Sequence, residues 1–226
     1  MRNFKKRYTV LWKKDNIYTY YMNKKIIILL ILILFFFLLF LKQGASNDNI
    51  LYIPDFLDEK DSKTILELRG DKDNFIFENF RYSKPLTDRS AYNIFYSDKY
   101  MNQIQHNLNK ELYPSKFPIE HRYYSEDSQG MQWHKDLLMY KKPQYEAIYT
   151  IRNNTKSLTE WKDSKGDIHS IWTEPNSLLI VKANGYEHHV TKTGEGEREI
   201  LKLIYTQTHE TNNNYKKEME RFKGKY

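Results

Sequence analysis

The chain has 226 residues and a formal charge of +7, from 36 Lys and Arg against 29 Asp and Glu. Cys is absent, which excludes disulfide scaffolds, zinc–thiolate sites, iron–sulfur clusters and cysteine nucleophiles. The length suits one domain with an appendage, and an aromatic content of 15% is too high for a disordered chain.

The positive charge is confined to the N-terminus. Residues 1–42 carry nine Lys and Arg and a single acid, Asp15, so residues 43–226 hold 27 bases against 28 acids, a net of −1. A nucleic-acid-binding domain needs a basic footprint, and the bulk of this chain has none. Ile26 to Leu41 is an unbroken apolar run of 16 residues with no polar face. As a helix rising about 1.5 Å per residue it reaches roughly 24 Å, close to the thinner ER bilayer of about 27 Å. Lys24, Lys25 and Lys42 can snorkel at its ends, and Tyr18, Tyr20 and Tyr21 suit the headgroup level. The long n-region and the poor cleavage site at Lys42-Gln43-Gly44-Ala45-Ser46 favour an uncleaved signal anchor over a signal peptide.

The positive-inside rule then sets the organisation. Residues 1–25 are expected as a basic cytosolic tail, 26–41 as a transmembrane signal anchor, 42–49 as a polar linker, 50–209 as the folded domain and 210–226 as a polar tail. This is a single-pass type II arrangement with the domain in the secretory (ER/Golgi) lumen. The sequon Asn153-Asn154-Thr155 is compatible with that address.

In chain order, Ile50–Ile53 reads as a strand stopped by Pro54, and Asp58 caps a helix running to Leu68. A second helix is expected from Asp98 to about Leu112, with Ser97 as N-cap and Met101, Ile104, Leu108 and Leu112 on its apolar stripe. After Pro118 the pattern becomes seven short strands separated by turns: Ile119–Tyr124, Met131–His134, Tyr145–Ile151, Ile168–Trp172, Ser177–Val181, Tyr186–Val190 and Glu199–Thr206. That is a mainly β fold, a sandwich or barrel with flanking helices.

The chemistry-bearing residues lie on these strands. His134-Lys135-Asp136 is an H-x-D triplet, and side chains at i and i+2 of an extended segment share a face. His188 follows 54 residues later and can close a 2-His-1-carboxylate triad, the set that leaves open positions on non-haem Fe(II). His189 would then face outward by alternation. Arg198 opens the final strand ten residues on, where a guanidinium can hold a carboxylate bidentately. Trp133 precedes His134 and so points away from the triad, while Trp161 and Trp172 either rim the barrel mouth or cap the sandwich.

Tyr124, Gly130, His134-Lys135-Asp136, His188-His189-Val190 and Arg198, with the opening Ile50–Leu57, resemble the prolyl 4-hydroxylase-like branch of the Fe(II)- and 2-oxoglutarate-dependent dioxygenases. The resemblance spans residues 50–206. It implies a double-stranded β-helix, or jelly-roll barrel, in which His134, Asp136 and His188 ligate Fe(II). Arg198 would pair with the distal carboxylate of 2-oxoglutarate, and Tyr124 and Thr150 would add hydroxyls near it. It further implies O2 as cosubstrate, ascorbate as a reductant that rescues uncoupled cycles, and a protein or peptide substrate hydroxylated on a side chain. Asp136 argues for hydroxylation, because related halogenases have a small residue there. The resemblance departs from the collagen-type enzymes, which have Lys where Arg198 stands, so the substrate stays open. A lysyl-type or small-molecule hydroxylase, or an inactive membrane-anchored binding protein, is the alternative. Segments 81–96 and 137–145 are expected as substrate-covering loops by analogy.

Overall fold

The computed structural model describes residues 49–68, 75–78 and 80–223. The expected anchor at 26–41 lies outside the described residues. Among those described, no helix is long and apolar enough to cross a membrane.

The strands form two antiparallel sheets. β1 (Ile50–Ile53), β2 (Ile76–Glu78), β3 (Arg81–Pro85), β4 (Tyr113–Pro114), β5 (Glu120–Tyr124), β7 (Tyr145–Asn153), β10 (Ser177–Lys182) and β12 (Arg198–Thr206) build the larger one. Its order is β1-β10-β7-β12-β5-β3-β2, with β4 paired to β12. β6 (Met131–His134), β8 (Thr159–Lys162), β9 (Ile168–Ile171) and β11 (Glu187–Val190) form the smaller sheet in the order β6-β11-β8-β9. From β5 onward the chain passes repeatedly between the sheets, which is the jelly-roll connectivity. The expected barrel is therefore present.

Among the described residues four helices flank it: α1 (Glu59–Leu68), α2 (Arg89–Phe95), α3 (Asp98–Leu108) and α4 (Asn213–Glu220). Asp58 caps α1 as expected, its carboxylate accepting from the Asp61 N–H at 2.8 Å. Ser97 does not cap α3 through its side chain; its hydroxyl donates instead to the Ile94 carbonyl that ends α2. α3 stops four residues earlier than the apolar stripe suggested, because Asn109 turns left-handed at φ 50°. Leu112 still joins the core from the loop beyond.

Alternation along the central strands divides the layers. On β7 and β12 the residues Tyr145, Ala147, Tyr149, Leu201, Leu203 and Tyr205 face outward and pack under α1–α3 against Ile65, Phe95, Tyr100 and Ile104. Glu146, Ile148, Ile200 and Lys202 face inward and line the barrel cavity. These strands are buried on both faces, so they read as near-continuous apolar runs outside and carry the unusual charges inside.

Several elements escaped the sequence pattern. β8 was missed because Thr159-Glu160-Trp161-Lys162 holds only one strongly apolar residue. β2 lies where no element was expected, and β3 and α2 occupy most of the segment 81–96 expected as a covering loop. The tail contributes α4, capped by Asn212 accepting from the Asn214 and Tyr215 N–H groups. Its Tyr215 and Met219, with Phe222, pack on Phe117, Met139, Tyr140 and Ile204.

Gly130 enters β6 at φ +72°, where a Cβ would lie 2.1 Å from the Val190 carbonyl oxygen. Replacing it by Ala adds left-handed strain of about 1–3 kcal/mol on top of a backbone clash. We expect Gly130→Ala to lower the thermal unfolding midpoint by several degrees and to loosen β6 from β11. An unchanged midpoint and unchanged amide exchange on β11 would count against this packing.

Candidate metal and anion site

β11 lies between β6 and β8, and its register with both builds the site. His188 is paired directly with His134 across β6–β11, and their rings are 4.4 Å apart. β6 ends at His134, so Asp136 sits just past the strand rather than within it. Its backbone carbonyl accepts from the Asn184 N–H at 3.0 Å, which ties the H-x-D segment to the β10–β11 turn. His134 Nε2 is 3.8 Å from Asp136 Oδ1, and His188 Nε2 is 3.4 Å from Asp136 Oδ2. One donor atom from each residue lies within 4.8 Å of the other two, a spacing one cation can bridge.

The tautomers follow from the hydrogen bonds. His134 Nδ1 meets the Gln132 carbonyl at 2.7 Å, and His188 Nδ1 meets the Tyr186 carbonyl at 3.2 Å. A carbonyl only accepts, so each Nδ1 carries the proton and each Nε2 presents its lone pair to the shared point. Burial holds both imidazoles below their ordinary pKa, and in His134 the neighbouring His188 adds to the effect. Both rings are therefore neutral donors at pH 7.

His189 points the other way. It stacks on Trp133 with ring centroids 4.0 Å apart, and its Nε2 lies 2.7 Å from Glu160. Lys162 covers the other part of the indole, 4.3 Å from its centroid. Trp161 pairs in register with His188 and stacks on His169, so it lies on the inner face of the smaller sheet. Trp172 is 42% exposed and donates its indole N–H to the Thr155 carbonyl.

Arg198 is paired with Tyr124 across β12–β5, and both line the same cavity as the triad. The guanidinium is buried, and its Nη2 donates to Thr159 Oγ1 at 3.1 Å and Thr173 Oγ1 at 3.3 Å. Its Nε and Nη1 have no hydrogen-bond partner among the described residues. Burial lowers its pKa and Tyr124 opposes the shift, but an arginine stays cationic. Thr150 alternates with Glu146 and Ile148 on the inward face of β7, and its hydroxyl is also buried without a partner. A buried cation with two unmet donors and three convergent metal donors in the same cavity is a set that fits a carboxylate chelating a metal ion.

A second charged layer was not visible in the sequence. Glu146 ion-pairs with Lys202, and Glu120 grips Arg122 at 3.1 Å. Burial and the adjacent Asp136 push Glu146 up to about 7 despite Lys202. Burial also acts to raise Glu120, yet Arg122, Lys202 and Arg221 together hold it at about 2. Isolated Glu and Lys letters on separate strands carry no signal of this pairing. Of the two segments expected to cover the site, 81–96 supplies only Arg81 to the cavity, whereas 137–145 supplies Leu137 and Met139. Asn153, the sequon acceptor, is buried: it donates to the Thr173 carbonyl and accepts from Thr155, so it offers no free amide for a glycan in this fold.

No protein-family model and no curated protein matches the chain. Solved structures do match. A 2OG-Fe(II) oxygenase family oxidoreductase from Burkholderia pseudomallei superposes with a TM-score of 0.63 at 10% identity, covering 74% of this chain and 88% of that one. EctD from S. alaskensis, solved with 2-oxoglutarate and 5-hydroxyectoine, gives 0.60 at 10% identity over 77% and 78%. A Trichoplax adhaerens prolyl hydroxylase, in complex with a peptide fragment of the hypoxia inducible factor oxygen degradation domain, gives 0.55 at 13% identity over 71% and 84%. At these identities the likeness is one of fold: the chain has the barrel these oxygenases share.

The unmet guanidinium has a consequence for stability. Leaving buried donors unpaired costs about 1–3 kcal/mol, more for a charged group. In the absence of added metal and 2-oxoglutarate, Arg198→Met should unfold at a higher temperature than the wild type. A lower midpoint would mean that the arginine already has its partners.

Proposed function

We propose that this protein is an Fe(II)- and 2-oxoglutarate-dependent oxygenase that hydroxylates a side chain of a protein or peptide, in the manner of the prolyl 4-hydroxylases. The observation that carries the reading is Arg198: a buried cation with two unmet N–H groups, in the cavity where His134, Asp136 and His188 converge. A structural arginine would be answered by a carboxylate, as Arg122 is by Glu120. Arg198 is left for one that arrives from outside.

His134, Asp136 and His188 would hold Fe(II) on one face through two neutral Nε2 atoms and one carboxylate, leaving the opposite face free for ligands. Iron with 2-oxoglutarate and O2 supplies the oxidative decarboxylation that drives hydroxylation. The chain's own work is binding and exclusion. Arg198 would take the distal carboxylate, with the hydroxyls of Tyr124 and Thr150 assisting, and would so orient the keto acid. The Nδ1–carbonyl bonds keep both imidazoles in the metal-binding tautomer. Ile148, Val181, Val190 and Ile200 line the space between and keep it dry. Ascorbate would serve as the rescue reductant for uncoupled cycles.

The substrate class rests on the resemblance and on the peptide-bound Trichoplax adhaerens structure. EctD, solved with 2-oxoglutarate and 5-hydroxyectoine, supports a second reading in which the substrate is a free small molecule. The reading retains residues 26–41 as the membrane anchor with the domain in the secretory lumen, supported by the charge asymmetry of the N-terminal 42 residues. The net charge of −1 beyond residue 42 speaks against nucleic acid as a partner.

The full chain, solubilised in detergent and mixed anaerobically with Fe(II) and 2-oxoglutarate, should develop a visible metal-to-ligand charge-transfer band. His188→Ala should abolish it. Arg198→Met should raise the half-saturating 2-oxoglutarate concentration about 100-fold, since two charge-assisted hydrogen bonds are worth roughly 3 kcal/mol together. A folded wild-type protein with no band would remove the oxygenase reading and leave a barrel that only binds.

A further inference from the structure

One nitrogen of Arg198 is already taken. Its Nη2 donates to Thr159 Oγ1 at 3.1 Å and to Thr173 Oγ1 at 3.3 Å, while Nε and Nη1 have no hydrogen-bond partner among the described residues. A terminal guanidinium nitrogen carries two N–H groups, so two acceptors use it up. Both acceptors come from the side of the smaller sheet: Thr159 opens β8, and Thr173 lies two residues past the end of β9. Arg198 opens β12 of the larger sheet. Its guanidinium therefore spans from one sheet to the other, and none of the three residues is more than 4% exposed.

The two threonines are themselves fixed. Thr159 is paired with Val190 of β11 on one side and with Ile171 of β9 on the other. Thr173 is pinned to the segment that leaves β7. Its carbonyl accepts from Asn153 Nδ2 at 3.0 Å, and the indole N–H of the neighbouring Trp172 donates to the Thr155 carbonyl at 2.9 Å. Asn153 is locked in turn, because its Oδ1 accepts from the Thr155 hydroxyl at 2.7 Å, and it pairs in register with Arg198 across β7–β12. The sequon residues Asn153 and Thr155, together with Trp172, thus support the contact on Arg198 from behind.

The chemistry of this clamp is as specific as its position. A hydroxyl accepts from a guanidinium without cancelling its charge. A carboxylate in the same place would neutralise the cation and compete with an incoming anion, as Glu120 does on Arg122 in the same barrel. A guanidinium is planar and its donors point in fixed directions. Two acceptors on one terminal nitrogen fix that plane, and so fix where Nε and Nη1 aim. Without them the group would have to be ordered each time a ligand bound, at a cost in affinity.

We propose that Thr159 and Thr173 are positioning residues for cosubstrate binding: by holding Nη2 of Arg198 from two sides, they aim Nε and Nη1 at the distal carboxylate of the keto acid. This inference rests on the oxygenase reading and deepens it, by naming what orients the arginine. The role is exerted through Arg198.

The test uses the full chain, solubilised in detergent and loaded anaerobically with Fe(II). It is titrated with 2-oxoglutarate and, separately, with 2-oxopentanoate, which has the same carbon chain without the distal carboxylate. The charge-transfer band reports both, and the ratio of their half-saturating concentrations isolates the contribution of that carboxylate. Thr159→Val and Thr173→Val should each raise the half-saturating 2-oxoglutarate concentration about tenfold, the order of one hydrogen bond to a charged group, and move that of 2-oxopentanoate by less than about twofold. Thr159→Ala and Thr173→Ala remove the same acceptor with a smaller side chain and should lower the ratio equally, which covers a valine that disturbs packing. Thr159→Ser and Thr173→Ser return the hydroxyl and should restore most of it. A merely structural role would shift both keto acids together, or lower the unfolding midpoint and leave the ratio alone. Folded valine or alanine variants that keep the wild-type ratio overturn the proposal, and so do serine variants no better than the valine ones. A wild-type protein that takes both keto acids at the same concentration would instead overturn the role of Arg198, and one that forms no band with either would overturn the oxygenase reading.

Discussion

The antiparallel register of β11 is the constraint on which the rest of this molecule depends. Side chains alternate with a period of two along a strand, so a slip by one residue exchanges every inward group for an outward one. Here that exchange would carry His188 out of the barrel and His189 into it. Pairing on both sides resists the slip. His188 meets His134 on β6 and Trp161 on β8, and Val190 meets Thr159. The outward face adds its own lock, because His189 is stacked on Trp133 and bonded to Glu160. Gly130 admits the Val190 carbonyl at a distance no other residue tolerates, so the entry to β6 is matched to the same register. The convergence of His134, Asp136 and His188 is thus a by-product of strand pairing, and each histidine needs only a backbone carbonyl on Nδ1 to turn Nε2 toward the shared point.

The second constraint is electrostatic. A small barrel usually fills its interior with apolar side chains. This one buries Arg198 at one level and Arg122, Glu120, Glu146 and Lys202 at another. The two levels are handled differently. At the outer level each buried acid has a cation, so the desolvation cost is offset inside the protein. At the inner level two hydroxyls answer only part of Arg198. The fold can carry that unmet charge because the outward faces of the same strands pack a continuous apolar layer under α1–α3. One face of the large sheet packs the helices, and the other lines the cavity.

The C-terminal segment joins the two. By composition it is polar and unremarkable, yet three apolar residues, Tyr215, Met219 and Phe222, are enough to seat it on Phe117, Met139 and Ile204. Once seated, it backs the loop that leaves Asp136 and sets Arg221 against the buried Glu120. A segment that reads as a tail is in this way part of the wall of the cavity.

The strand pattern by itself read as a sandwich or barrel, and the family resemblance carried by Tyr124, the H-x-D triplet, His188 and Arg198 narrowed it to the jelly-roll. An H-x-D triplet, a histidine 54 positions later and an arginine ten beyond that, each on a β-patterned segment, is a local signal that needs no three-dimensional information. The choice of His188 over His189 rested on the ten-residue step to Arg198 and the H-x-V match, and alternation then turned His189 outward. Strand β8 and the hairpin of β2 and β3 were not legible, and for the tail the sequence left a last helix and disorder both open, because the stability of these elements comes from partners distant in the chain rather than from their own periodicity. The charged outer layer was equally hidden. Glu120, Arg122, Glu146, Lys202 and Arg221 lie on four separate segments, and nothing in their local sequence says that they share one space. Charge interacts through distance in three dimensions, and only the folded register brings those five side chains to the same end of the barrel.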